Sequence, residues 1–299
     1  MKLKVLTGWF LAISSLAVVT TFGYSLWQRA IHGIKHAKTI QSREVRHFPQ
    51  GHITSLDVNA EFADVTVKTG KVSEIELVVT RTGMGSDVAA ASSSLSTIRY
   101  SIAQSKNGLV FRSNSSDHAG ISVDRGNIRF ASRRMALSIL VPQGKKMDTR
   151  VIAGSGDLKV EGLDGKIVLE SGSGGVVVTG GSGSTSISTG SGDIMLTDRV
   201  AGSVNLEAGS GDVTYHCSQP TRDDVSIETG SGDVLARFDP TSGLSFMVNT
   251  GSGKIVNRLY GVSPSAGDSG LTFKLGGGRH LVNVTTGSGD VSLEASRGT

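Results

Sequence analysis

Val204-Asn-Leu-Glu-Ala-Gly-Ser-Gly-Asp-Val-Thr-Tyr215 is the stretch that decides the fold. On either side of Gly209-Ser210-Gly211, apolar side chains take every second position: Val204, Leu206 and Ala208 before it, Val213 and Tyr215 after it. A period of two belongs to a strand with one buried face. The triplet recurs as Gly154-Ser155-Gly156, Gly172-Ser173-Gly174, Gly190-Ser191-Gly192, Gly230-Ser231-Gly232, Gly251-Ser252-Gly253 and Gly287-Ser288-Gly289. The seven copies start at intervals of 18, 18, 19, 21, 21 and 36 residues. The last interval is twice 18 and encloses Gly267-Asp268-Ser269-Gly270, which reads as a degenerate copy, so the repeat averages about 19 residues.

The residue before each triplet is small (Ala153, Ser171, Thr189, Ala208, Thr229, Thr250, Thr286) and falls on the inward phase, where a corner leaves little room. Gly181-Ser182-Gly183 is out of phase and marks a turn on the other side of the coil. One repeat cannot bury its apolar face alone, but stacked repeats share a core. The expected architecture is therefore all-β, a single-stranded β-solenoid of about 19-residue repeats over 151–296. The triplet glycines are its structural turns, expected to supply positive φ. Residues 51–150 alternate less regularly and are expected to form irregular β coils and hairpins capping the stack, with Ser86–Ser96 a short helix or loose loop.

Composition agrees. Glycine numbers 40 of 299 residues, roughly twice the usual share. Aromatic content is 5%, as suits a thin core filled by Val, Ile, Leu and Thr. Five prolines and no G-X-Y period exclude collagen. The single cysteine, Cys217, excludes an internal disulfide framework and a cysteine-based zinc cluster. Net charge is +4, but residues 1–50 hold seven Lys/Arg against Glu44 alone, and the remainder is slightly acidic. No basic excess remains there to grip a phosphate backbone, so nucleic acid is not an expected partner.

Residues 1–4 read as a cytoplasmic n-region and 5–27 as a transmembrane signal anchor. Val5 to Trp27 is free of charge, long enough to span about 30 Å as a helix, with Trp9 and Phe10 near one end and Tyr24 and Trp27 near the other. Ser15-Leu16-Ala17 offers a cleavage-like site, but more apolar residues follow it. Residues 28–50 read as a basic juxtamembrane linker whose cations can rest on anionic headgroups. A leading Lys2 and Lys4 send the β domain outward, whereas Arg29, Lys35, Lys38, Arg43 and Arg46 favour the opposite orientation under the positive-inside rule. The extracytoplasmic location is the expectation.

The chain resembles a bacterial family, the putative-adhesin β-strand-repeat proteins. The resemblance rests on Leu137-Ser-Ile-Leu-Val-Pro-Gln-Gly144, an apolar strand ending in Pro-x-Gly before the first repeat. It rests also on Ala153-Gly-Ser-Gly-Asp157 and on the Gly-Ser-Gly-Asp copies at 190, 209, 230 and 287. It covers about residues 50–296. It implies a β-solenoid-like fold behind a membrane segment, and no established reaction, ligand or catalytic residue. Gly175 and Lys254 depart from the pattern, standing where aspartate is expected.

Asp193, Asp212 and Asp233 follow consecutive turns and are the weak calcium candidates, since oxygen-only ligands suit that ion. The blander alternative is that each carboxylate accepts backbone N–H groups and fixes its turn. Gly251-Ser252-Gly253-Lys254 is no phosphate loop, because no strand leads into a helix there. His32 and His36 have i, i+4 spacing without an acidic partner between them. In Tyr215-His216-Cys217 the phase turns Tyr215 and Cys217 inward and His216 outward, which suits an inert thiol. The turn serines lack a paired base. Both tryptophans lie in the apolar segment, and the adjacent Asp223 and Asp224 make a poor catalytic pair, so a glycan-cleaving β-helix enzyme has little support. No catalytic residue, cofactor or enzymatic activity is expected. The functional expectation is a membrane-anchored envelope protein, an adhesin or structural interaction module, with Glu170, Glu207, Glu228, Asp212 and Asp233 as the exposed patch. Its partner would be an envelope protein or glycan. The alternative is a membrane-attached cytoplasmic scaffold that self-associates through the solenoid ends.

Overall fold

The computed structural model describes residues 37–113, 120–124, 127–197, 199, 202–259, 265–267 and 269–296. The anchor at 5–27, the first part of the linker, and His32 and His36 lie outside these residues. Among the described residues no helix is long and apolar enough to cross a membrane. In chain order β1 (Lys38–Pro49), β2 (Ser55–Ala60), β3 (Ala63–Gly70) and β4 (Glu74–Gly85) precede α1 (Val88–Ser96). Then come β5 (Tyr100–Gln104), β6 (Gly108–Ser113), β7 (Gly120–Asp124), β8 (Asn127–Pro142), β9 (Asp148–Ala153) and β10 (Leu158–Glu161). They are followed by β11 (Ile167–Ser171), β12 (Val176–Thr179), β13 (Thr185–Thr189), β14 (Ile194–Thr197), β15 (Val204–Ala208), β16 (Val213–His216) and β17 (Val225–Thr229). The last are β18 (Val234–Phe238), β19 (Leu244–Thr250), β20 (Ile255–Arg258), β21 (Ser265–Gly267), β22 (Gly270–Leu275), β23 (His280–Thr286) and β24 (Val291–Ala295).

The fold is all-β and solenoid-like. Each Gly-Ser-Gly corner joins a strand of one sheet to a strand of another, so every repeat contributes two strands, one per sheet. The alternation on the two sides of the triplet thus belongs to two different sheets. One sheet runs β22-β19-β23-β17-β15-β13-β11-β9-β2-β6-β5 and the other β1-β4-β8-β3-β10-β12-β14-β16-β18-β24-β20-β21. Register is constant: Leu169 faces Ile187, Ile187 faces Leu206, and Leu206 faces Ile227. On the other sheet Val178, Leu196, Tyr215 and Ala236 form the equivalent row. These rows are buried. Each such Val, Leu or Ile contributes about 1.5–3 kcal/mol by leaving water. Aromatic side chains collect where the repeats lengthen to 21 residues: Tyr215, Phe238, Phe246 and Phe273 form a chain of ring contacts with centroids 4.6–5.2 Å apart.

Coil order departs from chain order at both ends of the stack. β9/β10 stacks directly on β2/β3, and β6 with the end of β8 forms the rung beyond it. Residues 55–70 are thus a full coil in register with the repeats, not an irregular cap. At the other end the last coil, β23/β24, inserts between β17/β18 and β19/β20. The 36-residue interval therefore holds no lost parallel rung. Its extra residues make β21 and β22, which run antiparallel to β20 and β19. Gly267 and Gly270 end and begin those reversed strands. β1 spans Lys38–Pro49, residues the sequence suggested as linker.

The triplet glycines are required for a reason other than the one expected. None of them has positive φ; that conformation belongs to Gly162, Gly165, Gly180, Gly181, Gly183 and Gly202 at the opposite corner. At the triplets the backbones themselves stack. A Cβ on Gly211 would overlap the carbonyl oxygen of Gly192, and one on Gly232 that of Gly211. The glycines remove the side chains that would hold successive corners apart.

A second compact unit comprises the described residues of Met1–Ser42, Thr82–Thr97 and Asp117–Arg133. In it Asp87 caps α1, accepting the Ala90 N–H at 2.7 Å. Gly83 and Gly85 admit the helix, since a Cβ on either would strike its backbone.

Candidate functional site

The corner is built from three rows. The small inward residues satisfy its backbone: Thr229, Thr250 and Thr286 each donate a hydroxyl to a glycine carbonyl of a neighbouring triplet at 2.9 Å. Ser171 and Thr189 accept the N–H groups of Gly174 and Gly192 at 2.9 and 3.0 Å. The aspartates form the second row. Asp193 Oδ1 accepts the N–H of Asp212 at 2.9 Å, Asp212 that of Asp233 at 2.8 Å, Asp233 that of Asp290 at 2.8 Å, and Asp290 that of Lys254 at 2.8 Å. Asp157 does the same for Gly175 at 2.9 Å. The weak calcium candidates are therefore one row, and one oxygen of each is engaged by the next coil. Among the described residues no group of three or more His, Cys, Asp or Glu is placed to hold a metal.

The third row lies across the corner on the outer face of the other sheet. Glu170, Ser188, Glu207, Glu228 and Thr285 are register partners on successive strands. Beside them run Val168, Ser186, Asn205, Ser226 and Asn283. Glu207 and Glu228 are exposed, and Glu170 pairs with Arg150 at 2.9 Å. The expected patch is thus split: its three glutamates share one face, whereas Asp212 and Asp233 sit beyond the corner and brace the stack.

The remaining candidates are placed apart. Tyr215 and Cys217 are buried and His216 half-buried, as the phase implied. Burial raises the Tyr215 hydroxyl's pKa well above its ordinary value. Cys217 Sγ lies 3.1 Å from the Gln219 carbonyl oxygen. Asp223 accepts the Gly202 N–H and Asp224 the Leu281 N–H, both at 2.8 Å, so the two carboxylates serve different backbones.

Sequence reasoning missed Arg199. Its side chain is buried at the second corner, where the guanidinium donates to five carbonyls: Gly183, Leu163, Gly180, Gly165 and Ser182, at 2.6–3.3 Å. Burial pulls its pKa down to about 10, and nearby Asp164 opposes the shift. It stays charged at neutral pH. No motif marks it, because its acceptors come from two earlier turns.

The site is thus a repetitive face and edge of a two-sheet solenoid. Residues 169–294 match the family model described as Toastrack DUF4097. No curated protein matches the chain. Among solved structures, one described as a "putative cell adhesion protein" from Clostridium sporogenes is similar at 13% identity and a TM-score of 0.37, covering 87% of this chain and 100% of its own. Another, a "putative adhesin" from Bacteroides fragilis, is similar at 12% identity and a TM-score of 0.44, covering 84% of this chain and 97% of its own.

Proposed function

We propose that this chain is a membrane-anchored, non-enzymatic interaction module of the cell envelope, presenting one outer face of its solenoid to an extracytoplasmic protein or glycan. The observation that carries this reading is the register-matched outer row Glu170–Ser188–Glu207–Glu228–Thr285, a polar ladder repeated at the spacing of the strands, about 4.8 Å. Such a face spreads affinity over many equivalent contacts. The uncharged apolar run at 5–27 supplies the anchor.

The scaffold alternative requires coil ends that continue from one molecule to the next. β5 lies antiparallel on β6, and β22 and β21 antiparallel on β19 and β20. Reversed strands blunt the parallel edge and disfavour head-to-tail stacking.

Two measurements test the reading. Protease applied to intact cells should remove a C-terminal tag; a tag protected until lysis refutes the topology. Purified protein should bind fractionated envelopes, and joint reversal of Glu170, Glu207 and Glu228 to Lys should abolish that binding. Unchanged binding removes this face from the function.

A further inference from the structure

Away from the repeats, Glu44 and Arg46 on β1, Arg81 on β4, and Ile98, Arg99 and Tyr100 line an open cleft of about 430 Å³. Its floor is the Tyr100 ring. One side of the ring stacks on Phe111, with centroids 5.7 Å apart and planes at 17°. The Arg81 guanidinium lies 5.4 Å from the ring centroid, a cation–π contact, and donates to the Ile98 carbonyl at 3.4 Å. The Tyr100 hydroxyl donates to Glu44, whose other oxygen pairs with Arg46 Nε at 2.6 Å. Tyr100 and Arg46 together hold the Glu44 carboxyl below its ordinary pKa. Arg46 stays half exposed. Arg99 is exposed and has no hydrogen-bond or ion-pair partner among the described residues.

Three guanidinium groups thus converge on a concave surface with one carboxylate to offset them. The tyrosine is held by Phe111, Arg81 and Glu44, so little ordering is needed when a ligand arrives. Guanidinium forks match the oxygens of phosphate and carboxylate alike. Charge separates the two. A phosphate monoester carries about −1.5 to −2 at neutral pH and matches the excess, whereas a carboxylate leaves one positive charge uncompensated.

We propose that this cleft binds a phosphate monoester, through Arg46 and Arg99 as direct ligands, with Arg81 and Tyr100 forming its floor. Glu44 competes with the ligand for Arg46. The phosphate can be that of a soluble ester or of a lipid headgroup, and the chemistry at the arginines is the same.

The test is calorimetric titration of the full chain in a neutral maltoside detergent. The probes are glycerol 3-phosphate, dihexanoyl phosphatidic acid and, as a zwitterionic control, dihexanoyl phosphatidylcholine. Both monoesters should bind saturably at one site, and the choline lipid should not. Tighter binding of phosphatidic acid identifies a headgroup as the source; equal affinity identifies a soluble ester. Arg46→Ala and Arg99→Ala should each weaken binding about tenfold, the loss of one charged hydrogen-bonding partner. Glu44→Gln should strengthen it by roughly threefold, a gain that a merely structural role would not produce. Circular dichroism confirms that the variants stay folded. No saturable heat from either monoester, wild-type affinity in both arginine variants, or weaker binding by Glu44→Gln would overturn the assignment.

Discussion

Asp212 Oδ1 accepts the backbone N–H of Asp233, its counterpart one coil further along the stack, at 2.8 Å. The repeated aspartate is therefore a link between coils, and its value depends on a parallel coil following it. This explains Lys254. It belongs to β19/β20, the final parallel rung, and the strands beyond it are reversed. No parallel N–H waits there for a carboxylate. Nothing in the structure explains Gly175.

Asp212→Ala should cost about 1–2 kcal/mol, the worth of a charge-assisted hydrogen bond at an exposed edge. Asp212→Asn keeps an acceptor and should recover at least half of that. Urea denaturation measures both. Millimolar calcium separates the two roles of the row: a hydrogen-bond brace leaves Tm unchanged, and a rise in Tm that vanishes in Asp212→Asn would restore the calcium reading.

Gly211 and Gly175 should respond in opposite directions. A Cβ at Gly211 overlaps the carbonyl of Gly192, and the atoms it would strike are backbone of the adjacent coil, which cannot rotate away as a side chain could. Gly211→Ala should cost about 3 kcal/mol or more, in the range of core overpacking. At Gly175 the nearest atoms to a Cβ lie 3.7 and 3.8 Å away and φ is not positive. Gly175→Asn restores an acceptor to the row and stiffens the unfolded chain, so it should stabilise by about 0.5–1 kcal/mol. Thermal unfolding of the two variants tests the pair; similar losses in both would refute the stacking explanation.

Much of this architecture is legible in residues such as Val204 to Tyr215, because alternation and a spaced corner are local signals. Coil order is not. Every triplet corner offers the same stacking surface, so the sequence does not show that Gly287 stacks on Gly230 and Gly251 on Gly287. The role of the glycines is not legible for the same reason: a close approach between coils leaves no mark in the sequence that distinguishes it from positive φ. Arg199 and the arginine cleft stayed hidden because each gathers residues far apart in the chain. Leu163 meets Arg199, and Glu44 meets Tyr100, only after folding.

Arg199 should be the costliest single side chain at the second corner. Removing it leaves five carbonyl contacts without their donor inside a buried corner. Arg199→Ala should destabilise by about 3–5 kcal/mol, since several buried carbonyl acceptors lose their donor at about 1–3 kcal/mol each and water can restore some of them. Arg199→Lys has three donors in place of a five-donor fork and should rescue only part. Equilibrium denaturation of both variants checks the order. An Arg199→Lys variant as stable as wild type would mean that charge alone, and not the fork, fills this corner.

The insertion of β23/β24 makes the end of the chain an interior rung. In a stack whose coils follow chain order, losing the last coil peels one end and leaves the rest intact. Here truncation after Gly278 removes Val282, Val284, Val291 and Leu293 from between two coils. It also removes the contacts that Gly230 and Gly251 make with Gly287. Each lost side chain is worth about 1.5–3 kcal/mol. Together the four are worth about 6–12 kcal/mol, so the truncated protein should lose roughly 10–50 °C in Tm at the 2–4 °C per kcal/mol expected for a domain of this size. Hydrogen exchange adds an independent readout. β17 and β19, protected in the full chain by their pairing with β23, should both exchange faster after truncation. If protection of β17 is retained, β19/β20 has closed onto β17/β18, and the terminal coil is a removable insert in place of a structural rung.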